Sequence, residues 1–477
     1  MNLTLLVPLV APLLAASVTA LARVAVAAWT GVAAAAVIAA SAAQLAADTR
    51  TGPVTAGVLR ADALSAWMLL VIGAVALIAC WAGVHYVADS PSGHDRRYLI
   101  LVQLFLAAMS LAVLANNLGL LWVAVEATTI VTAFLVGHRR TRASVEAAWK
   151  YVVLCSVGIA VAFLGTVCVY AAAVAAGSHG LQALDWTHLT AQARSLDPDL
   201  MRLATGLVLL GFGTKAGLAP MHAWLPDAHS QAPAPVSALM SGVLLSVAFY
   251  AILRYKTVTD AVLGPGYVRA LLLVAAFGSL AVAAVLLIAQ QDYKRMLAYS
   301  SIEHMGLIAL AAAIGSRLAV AAALLHILGH GLAKAAAFTG AGRILHLFDS
   351  PRVDAVRGLA ARFPALAATF GAALVALLGL PPFSLFASEL GIARSGLAAG
   401  DGWAILAAFV LILVAFAAVS RLGMTMLLGQ ATRDGSAAVG ASIAPAVAAL
   451  AAAALLGLTL GPLRPVLDAA ATLAGGH

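Results

Sequence analysis

The chain has 477 residues, of which 63% are hydrophobic and 10% charged, with mean hydropathy +1.02 and a formal net charge of +8. Soluble proteins carry about a quarter charged residues, so a soluble globular protein is excluded, and runs without alternating polarity exclude a membrane β-barrel. The positive charge reads as basic loops beside a membrane; no basic patch is interleaved with aromatics, so nucleic acid is not an expected partner.

The predicted fold is an all-α polytopic membrane protein of about 14 transmembrane helices, from repeated apolar runs of about 20 residues. Residues 1–22 read as an uncleaved first helix, because no basic residue precedes the apolar stretch and it is long enough to span. Further spans centre near Ala36, Ala74, Ala107, Glu126, Gly158, Val208, Leu244, Leu280, Leu307, Leu328, Leu374, Leu411 and Leu450. Cys80, Cys155 and Cys168 lie in apolar runs without metal-ligand spacing and read as packing residues.

An ionisable side chain at bilayer depth costs roughly 3 kcal/mol on insertion scales, so it seldom occurs without a partner, a wet cavity or a function. Glu126 lies mid-span in the fifth run. Desolvation favours a neutral carboxyl and a nearby ammonium favours the carboxylate, which makes a tunable proton site; Thr128 or Thr129 could instead simply satisfy it. Lys215 ends the seventh run and is expected to pair with Glu126 as an electrostatic switch, the alternative being snorkelling to the interface.

Lys215 is followed by a helix break, Ala216-Gly217-Leu218-Ala219-Pro220, and a second break, Leu378-Gly379-Leu380-Pro381-Pro382-Phe383, interrupts the twelfth run. Proline removes a helix N–H and clashes with the preceding turn, and irregular backbone at membrane depth requires protein or a cavity around it. Matched interruptions in two halves indicate inverted repeats. The expected organisation is an N-terminal unit at 1–92 (helices 1–3), a first repeat at 93–258, an inverted second repeat at 259–435 and a last helix at 436–477. The polar stretch from His222 through Asp227 and His229 to Gln231 reads as a loop: either a gate at the cytoplasmic mouth or a turn that starts span eight.

Beyond it, Glu303 and His304 are candidates to extend a polar axis between the halves. His326, His330 and Lys334, spaced i, i+4, i+8, share one helix face and suit a proton relay. Two histidines at i, i+4 could hold a metal, but no third ligand or His-Glu-x-x-His pattern appears, so no metal is expected. Glu389 follows the second break and would end the second half-channel. No Walker loop, dinucleotide fingerprint or Ser–His–Asp set is present, so no cofactor and no redox chemistry are expected in the chain itself.

Basic clusters at Arg96-Arg97, His138–Arg142, Tyr293-Lys294-Arg295 and Arg352–Arg362 fall in alternate loops and so share one side, the cytoplasm. A multi-pass protein of the cell membrane with both termini outside follows, although Arg50, Arg60, Arg194 and Lys256 charge the opposite loops.

These motifs resemble the antiporter-like membrane subunits shared by respiratory complex I, multisubunit Na+/H+ antiporters and membrane-bound hydrogenases. The likeness covers spans four to thirteen. It rests on the stretch from Lys215 to Arg254 with Trp224-Leu225-Pro226-Asp227-Ala228-His229, and on Asp292-Tyr293-Lys294-Arg295-Met296-Leu297-Ala298-Tyr299-Ser300-Ser301. Ser301–Gly306 and Ser237–Gly242 look most like the hydrogenase-4 component F type. The resemblance implies 14 helices with two inverted repeats, Glu126 as the fifth-helix glutamate, Lys215 as the seventh-helix lysine, Lys334 as the eleventh-helix lysine and Glu389 as the twelfth-helix acid. It also implies translocation of H+, or Na+, driven by redox chemistry in partner membrane and redox subunits of one complex. Where relatives carry an eighth-helix lysine or histidine, this chain has Ser241 and Ser246, so the half-channels would connect through water and hydroxyls or through Glu303 and His304. No long lateral helix is expected after the last span.

The leading expectation is therefore a proton-translocating subunit of a redox-driven complex of the hydrogenase-4, formate hydrogenlyase or NADH dehydrogenase type. The alternatives are a subunit of a multisubunit Na+/H+ antiporter, a non-conducting scaffold, and a small-solute transporter with its site at the broken helices. The polar axis argues against the scaffold, and the lack of clustered aromatics argues against the solute site.

Overall fold

The computed structural model describes residues 3–89, 94–430 and 442–475. The expected unit boundaries at 92/93 and 435/436, and both chain ends, lie outside the described residues. Three long helices come first: α1 (Val7–Leu21), α2 (Val24–Asp48) and, after a hairpin of β1 (Val54–Ala56) and β2 (Leu59–Ala61), α3 (Ala63–Asp89). Then follow α4 (Asp95–Leu114), α5 (Leu118–Val136), α6 (Arg142–Ala175), a short α7 (Trp186–Ala191) and α8 (Pro198–Lys215). The middle of the chain forms α9 (Trp224–Gln231), α10 (Ala234–Leu239), a π-helical turn (Met240–Leu244), α11 (Leu245–Leu263), α12 (Pro265–Ile288), α13 (Tyr293–Ile314) and α14 (Arg317–Phe348). The remainder forms α15 (Leu359–Arg362), α16 (Pro364–Leu377), α17 (Ser384–Ala398), α18 (Gly402–Leu428), α19 (Ala444–Leu458) and α20 (Arg464–Leu473).

Among the described residues, 10 helices are long and apolar enough to cross a membrane, or 11 if α19 and α20, bent by 67°, form one span. The protein is a multi-pass membrane protein. Every centre anticipated from the sequence falls inside a helix or, for Leu244, the π turn. The expected boundary at 258/259 falls inside α11; the chain turns instead at Gly264, whose φ of +74° lets α12 double back.

The middle of the bundle is made by α11, α13 and α14, which are enclosed almost all round. Because lipid tails are as apolar as leucine, helices associate by close packing, and small residues permit it. A Cβ on Gly211 of α8 would lie 2.4 Å from the Ala162 nitrogen and 2.5 Å from the Gly158 oxygen of α6, so these two backbones touch. The central helix α14 packs on α13, α17, α16 and α3, so side chains on its inner face meet both halves of the chain.

Both expected breaks are present. The first separates α8 from α9 and the second separates α16 from α17. Each turns on a glycine at positive φ, Gly217 at +74° and Gly379 at +62°. The irregular backbone between them is held by neighbours: Ala219 donates its N–H to Ser279 Oγ at 2.9 Å, and Trp224 Nε1 donates to the Thr214 carbonyl at 2.8 Å. Around the second break, a Cβ on Gly457 of α19 would lie 2.0 Å from the Pro382 oxygen, so α19 seats directly on the broken backbone.

Three local readings are corrected. The stretch Trp224–Gln231 is the helix α9, with Pro226 in its first turn, where a missing N–H costs nothing. Tyr293-Lys294-Arg295 is the first turn of α13, capped by Asp292, whose carboxylate accepts from the Lys294 and Arg295 N–H groups at 2.7 and 2.9 Å. Lys256 lies in α11, buried against Asp260, not in a loop.

Candidate ion pathway

Two buried polar clusters emerge. The first joins α5, α6 and α8. Lys215 is fully buried, and its Nζ donates to Thr129 Oγ1 at 2.8 Å and to the Tyr151 hydroxyl at 2.5 Å. Thr129 in turn donates to Glu126 Oε2 at 3.1 Å, while Ser156 donates to Oε1 at 3.4 Å. Glu126 is half-buried and makes no direct ion pair with Lys215; the expected pair is a relay through one hydroxyl. Thr128 does not satisfy Glu126, because it donates to the Val125 carbonyl at 2.6 Å.

The polarity of these bonds follows from their ends. Thr132 donates to the Thr128 carbonyl at 2.6 Å, so its oxygen must accept from Tyr151. Lys215 thus has two outlets. One runs through Thr129 to a carboxylate, which can take a proton. The other runs through Tyr151 and Thr132 to a backbone carbonyl, which cannot.

The second cluster joins α13, α14 and α17. His326, His330 and Lys334 line one face of α14 as expected, and all three are fully buried. Lys334 Nζ donates to the Leu297 carbonyl at 2.6 Å and to Ser300. His304 on α13 contacts both histidines, with ring centroids 5.1 Å from His326 and 5.0 Å from His330. His304 Nδ1 lies 3.0 Å from His326 Nε2, and His326 Nδ1 lies 2.9 Å from Ser388 Oγ. Ser388 spends its proton on the Leu385 carbonyl at 2.8 Å, so it accepts from His326 Nδ1. With both rings neutral, His326 Nε2 then carries a lone pair and accepts from His304 Nδ1. Glu303 and Glu389 approach the same place, close enough for their charges to interact. The carboxylate of Glu389 fills the space that a side chain on Gly379 would need: a Cβ there would be 2.2 Å from Oε2.

Between the clusters lies His229 of α9. Its ring stacks on Phe338 of α14 (5.4 Å) and approaches Trp224 (6.4 Å), and neither nitrogen has a hydrogen-bond partner among the described residues. Trp224 meets Tyr151 edge-on at 5.0 Å, so aromatic rings fill the interval between Lys215 and His229. Ser241, in the π turn, donates to Ser301 at 2.7 Å, and Ser301 donates to the Leu297 carbonyl that Lys334 also uses. Ser246 is buried and has no partner among the described residues, so it joins neither cluster. Asp227 is a clamp: it binds Lys150 of α6 at 3.3 Å and Arg295 of α13 at 2.9 Å. His222 is half-buried at the first break, apart from both clusters.

Tyr151, Ser156, Ser388 and Lys294 were not anticipated from the sequence. Tyr151 shares a face with Cys155, Gly158 and Ala162, all buried, and an inward tyrosine in such a run was the available signal. Lys294 hid inside a basic cluster read as a loop; its Nζ donates to the Ser230 and Ala232 carbonyls at 2.7 and 2.9 Å and so caps the end of α9.

The chain is thus a multi-pass helical bundle with two interrupted helices and a buried titratable row on its central helix. Residues 115–417 match the sequence model of the NADH:quinone oxidoreductase/Mrp antiporter transmembrane family, and the chain belongs to that family. Over 305 residues it is 42% identical to a hydrogenase-4 component F homolog of Methylacidiphilum infernorum (isolate V4), covering 64% of this chain and 64% of that protein. It is 33% identical over 365 residues to F(420)H(2) dehydrogenase subunit N of Methanosarcina mazei, covering 72% of this chain and 70% of the relative. The chain spans 64% of the length of the first of the curated relatives it matches and 53% of the next. In fold it resembles a chain of the archaeal membrane-bound sulfane sulfur reductase, with TM-score 0.88, 23% identity, and coverage of 99% of this chain and 97% of that one.

Proposed function

We propose that this chain translocates protons as the antiporter-like membrane subunit of a redox-driven complex of the hydrogenase-4, formate hydrogenlyase or NADH dehydrogenase type. The observation that carries the proposal is the relay Lys215–Thr129–Glu126: a buried amine joined to a carboxylate by one hydroxyl that both accepts and donates. A proton leaving the amine has a connected acceptor, and the competing outlet ends on a carbonyl. The second cluster supplies Lys334, three histidines and two carboxyls in mutual reach, which is the composition a proton exit needs.

In this reading protons enter near Lys215 from the cytoplasm, cross to Lys334 past His229, and leave by Glu389. His229 suits the junction because both ring nitrogens are free to bind water where aromatic side chains otherwise keep the interval dry. Asp227 holds α9 between the halves, and His222 and Ser246 are peripheral. The breaks at Pro220 and at Pro381 and Pro382 mark two inverted repeats, supported by a positive-φ glycine ahead of the proline in each. Reading α1, α8 with α9, and α16 with α17 as three more spans beside the 11 long apolar ones supports a bundle of fourteen helices. The basic ends of α4, α5 and α6 then face the cytoplasm of a cell membrane, and the termini face outward. The redox chemistry belongs to partner subunits, as the names of the relatives suggest.

The test is redox-driven proton uptake by native membrane vesicles. Glu126→Gln and Lys215→Ala should each abolish translocation while the complex still assembles; normal pumping by either variant would exclude the mechanism. Gentle purification should bring down iron–sulfur or hydrogenase-like subunits. Recovery of small membrane subunits alone would point instead to a cation/proton antiporter.

A further inference from the structure

The geometry points to a divalent transition-metal site of the Zn2+ class at His304, His326 and Glu389, which brings α13, α14 and α17 together around one ion. The inference does not depend on which ion, if any, moves along the axis.

One donor atom from each of these three side chains lies within 4.8 Å of the other two. The two imidazole nitrogens are 3.0 Å apart. A tetrahedral zinc with Zn–N bonds of about 2.05 Å separates its ligands by about 3.3 Å, so a shift of a few tenths of an ångström opens the pair around a metal. Two imidazoles, one carboxylate and a water make a ligand set that borderline-soft ions accept. Sequence spacing offers only the pair His326 and His330, for which no metal is expected; the fold instead sets His326 against His304, 22 positions away, and supplies the carboxylate from α17.

Two further observations indicate that the site is prepared. A metal-binding imidazole ordinarily gives its other N–H to an oxygen that fixes the ring. His326 does this already, donating Nδ1–H to Ser388, whose own proton is committed to Leu385. Meanwhile His304 Nε2 is buried and makes no direct hydrogen bond, and the Leu377 backbone lies close enough to the ring to receive an N–H. Moving the proton of His304 from Nδ1 to this nitrogen turns both facing atoms into lone-pair donors, with no net proton release from the two rings. Glu389 is only half-buried, so the carboxylate side of the site is not sealed within the bundle.

The test uses the full chain purified in detergent and titrated with Zn2+ against a fluorescent chelator. Saturable binding of one Zn2+ per chain is expected, weakened at least about tenfold by His326→Gln and by Glu389→Gln and unchanged by His330→Gln. Zn K-edge X-ray absorption of the wild-type complex, which needs no variant to fold, should show two imidazoles with oxygen ligands. The site is refuted by the absence of saturable binding, by binding that survives His326→Gln and Glu389→Gln together, or by a spectrum with fewer than two imidazoles.

Discussion

Thr129 stands between Lys215 and Glu126, accepting from the lysine amine at 2.8 Å and donating to the carboxylate at 3.1 Å. In the proposed pathway the hydroxyl is therefore the link between the amine and the carboxylate. Thr129→Val keeps the shape and removes both bonds. Hydrogen bonds to charged groups contribute about 1.5–3 kcal/mol, so the variant should lower the translocation rate by about ten- to a hundredfold. Thr129→Ser should restore it. Dye-monitored proton uptake at fixed redox turnover reads the difference, and equal loss in Val and Ser variants would discount the hydroxyl.

Tyr151 supplies the other acceptor of Lys215 but leads only to Thr132 and the Thr128 carbonyl. Tyr151→Phe should lower the rate far less than Thr129→Val does, because no transfer step passes this way although one bond to the amine is lost. Complete loss of uptake would mean that the relay runs through α6.

The eighth span offers two serines with different surroundings. Ser246→Ala removes a buried hydroxyl without a described partner and should be neutral or slightly stabilising. Ser241→Ala removes the bond to Ser301, beside the Leu297 carbonyl used by Lys334, and should slow translocation more than Ser246→Ala does. The two rates measured side by side decide whether the hydroxyl link lies at the π turn.

Arg254 of α11 anchors the first helices to the bundle: it donates to Asp62 at 2.7 Å, to Ser65 at 3.0 Å and to Tyr250 at 2.9 Å, with its guanidinium 4.4 Å from the Trp186 ring. Removing one partner of a buried pair strands the other, at a cost of about 3–5 kcal/mol. Asp62→Asn should therefore lower the Tm in detergent markedly. An unchanged Tm would show that the guanidinium is satisfied by its other contacts.

Gly457→Ala tests the seat of the second break. Its new methyl would meet the Pro382 oxygen and the Phe383 carbonyl carbon, which are backbone atoms that cannot rotate away. A loss of about 1–3 kcal/mol is expected from overpacking, read as a lowered Tm together with weaker translocation if the break positions Glu389.

Much of this protein is legible along the chain. Apolar runs of membrane length define helices, glycine followed by proline defines the breaks, and a titratable side chain inside such a run stands out because the bilayer penalises it. Glu126, Lys215, His326, His330, Lys334 and Glu389 all stand out as candidates that way. What the chain order cannot carry is which of them meet. The row on α14 is visible from a helical period, yet the partner of His326 is His304, which a different helix presents to it. Hydroxyls such as Tyr151 and Ser388 cost little in an apolar run and so leave no mark until packing turns them toward an amine or an imidazole. A lysine in a basic cluster reads the same whether it faces water or, like Lys294, caps a buried helix end. Helices and breaks are local consequences of hydrophobicity and backbone chemistry; the direction of each hydrogen bond depends on neighbours many residues away, and only the packed bundle decides it.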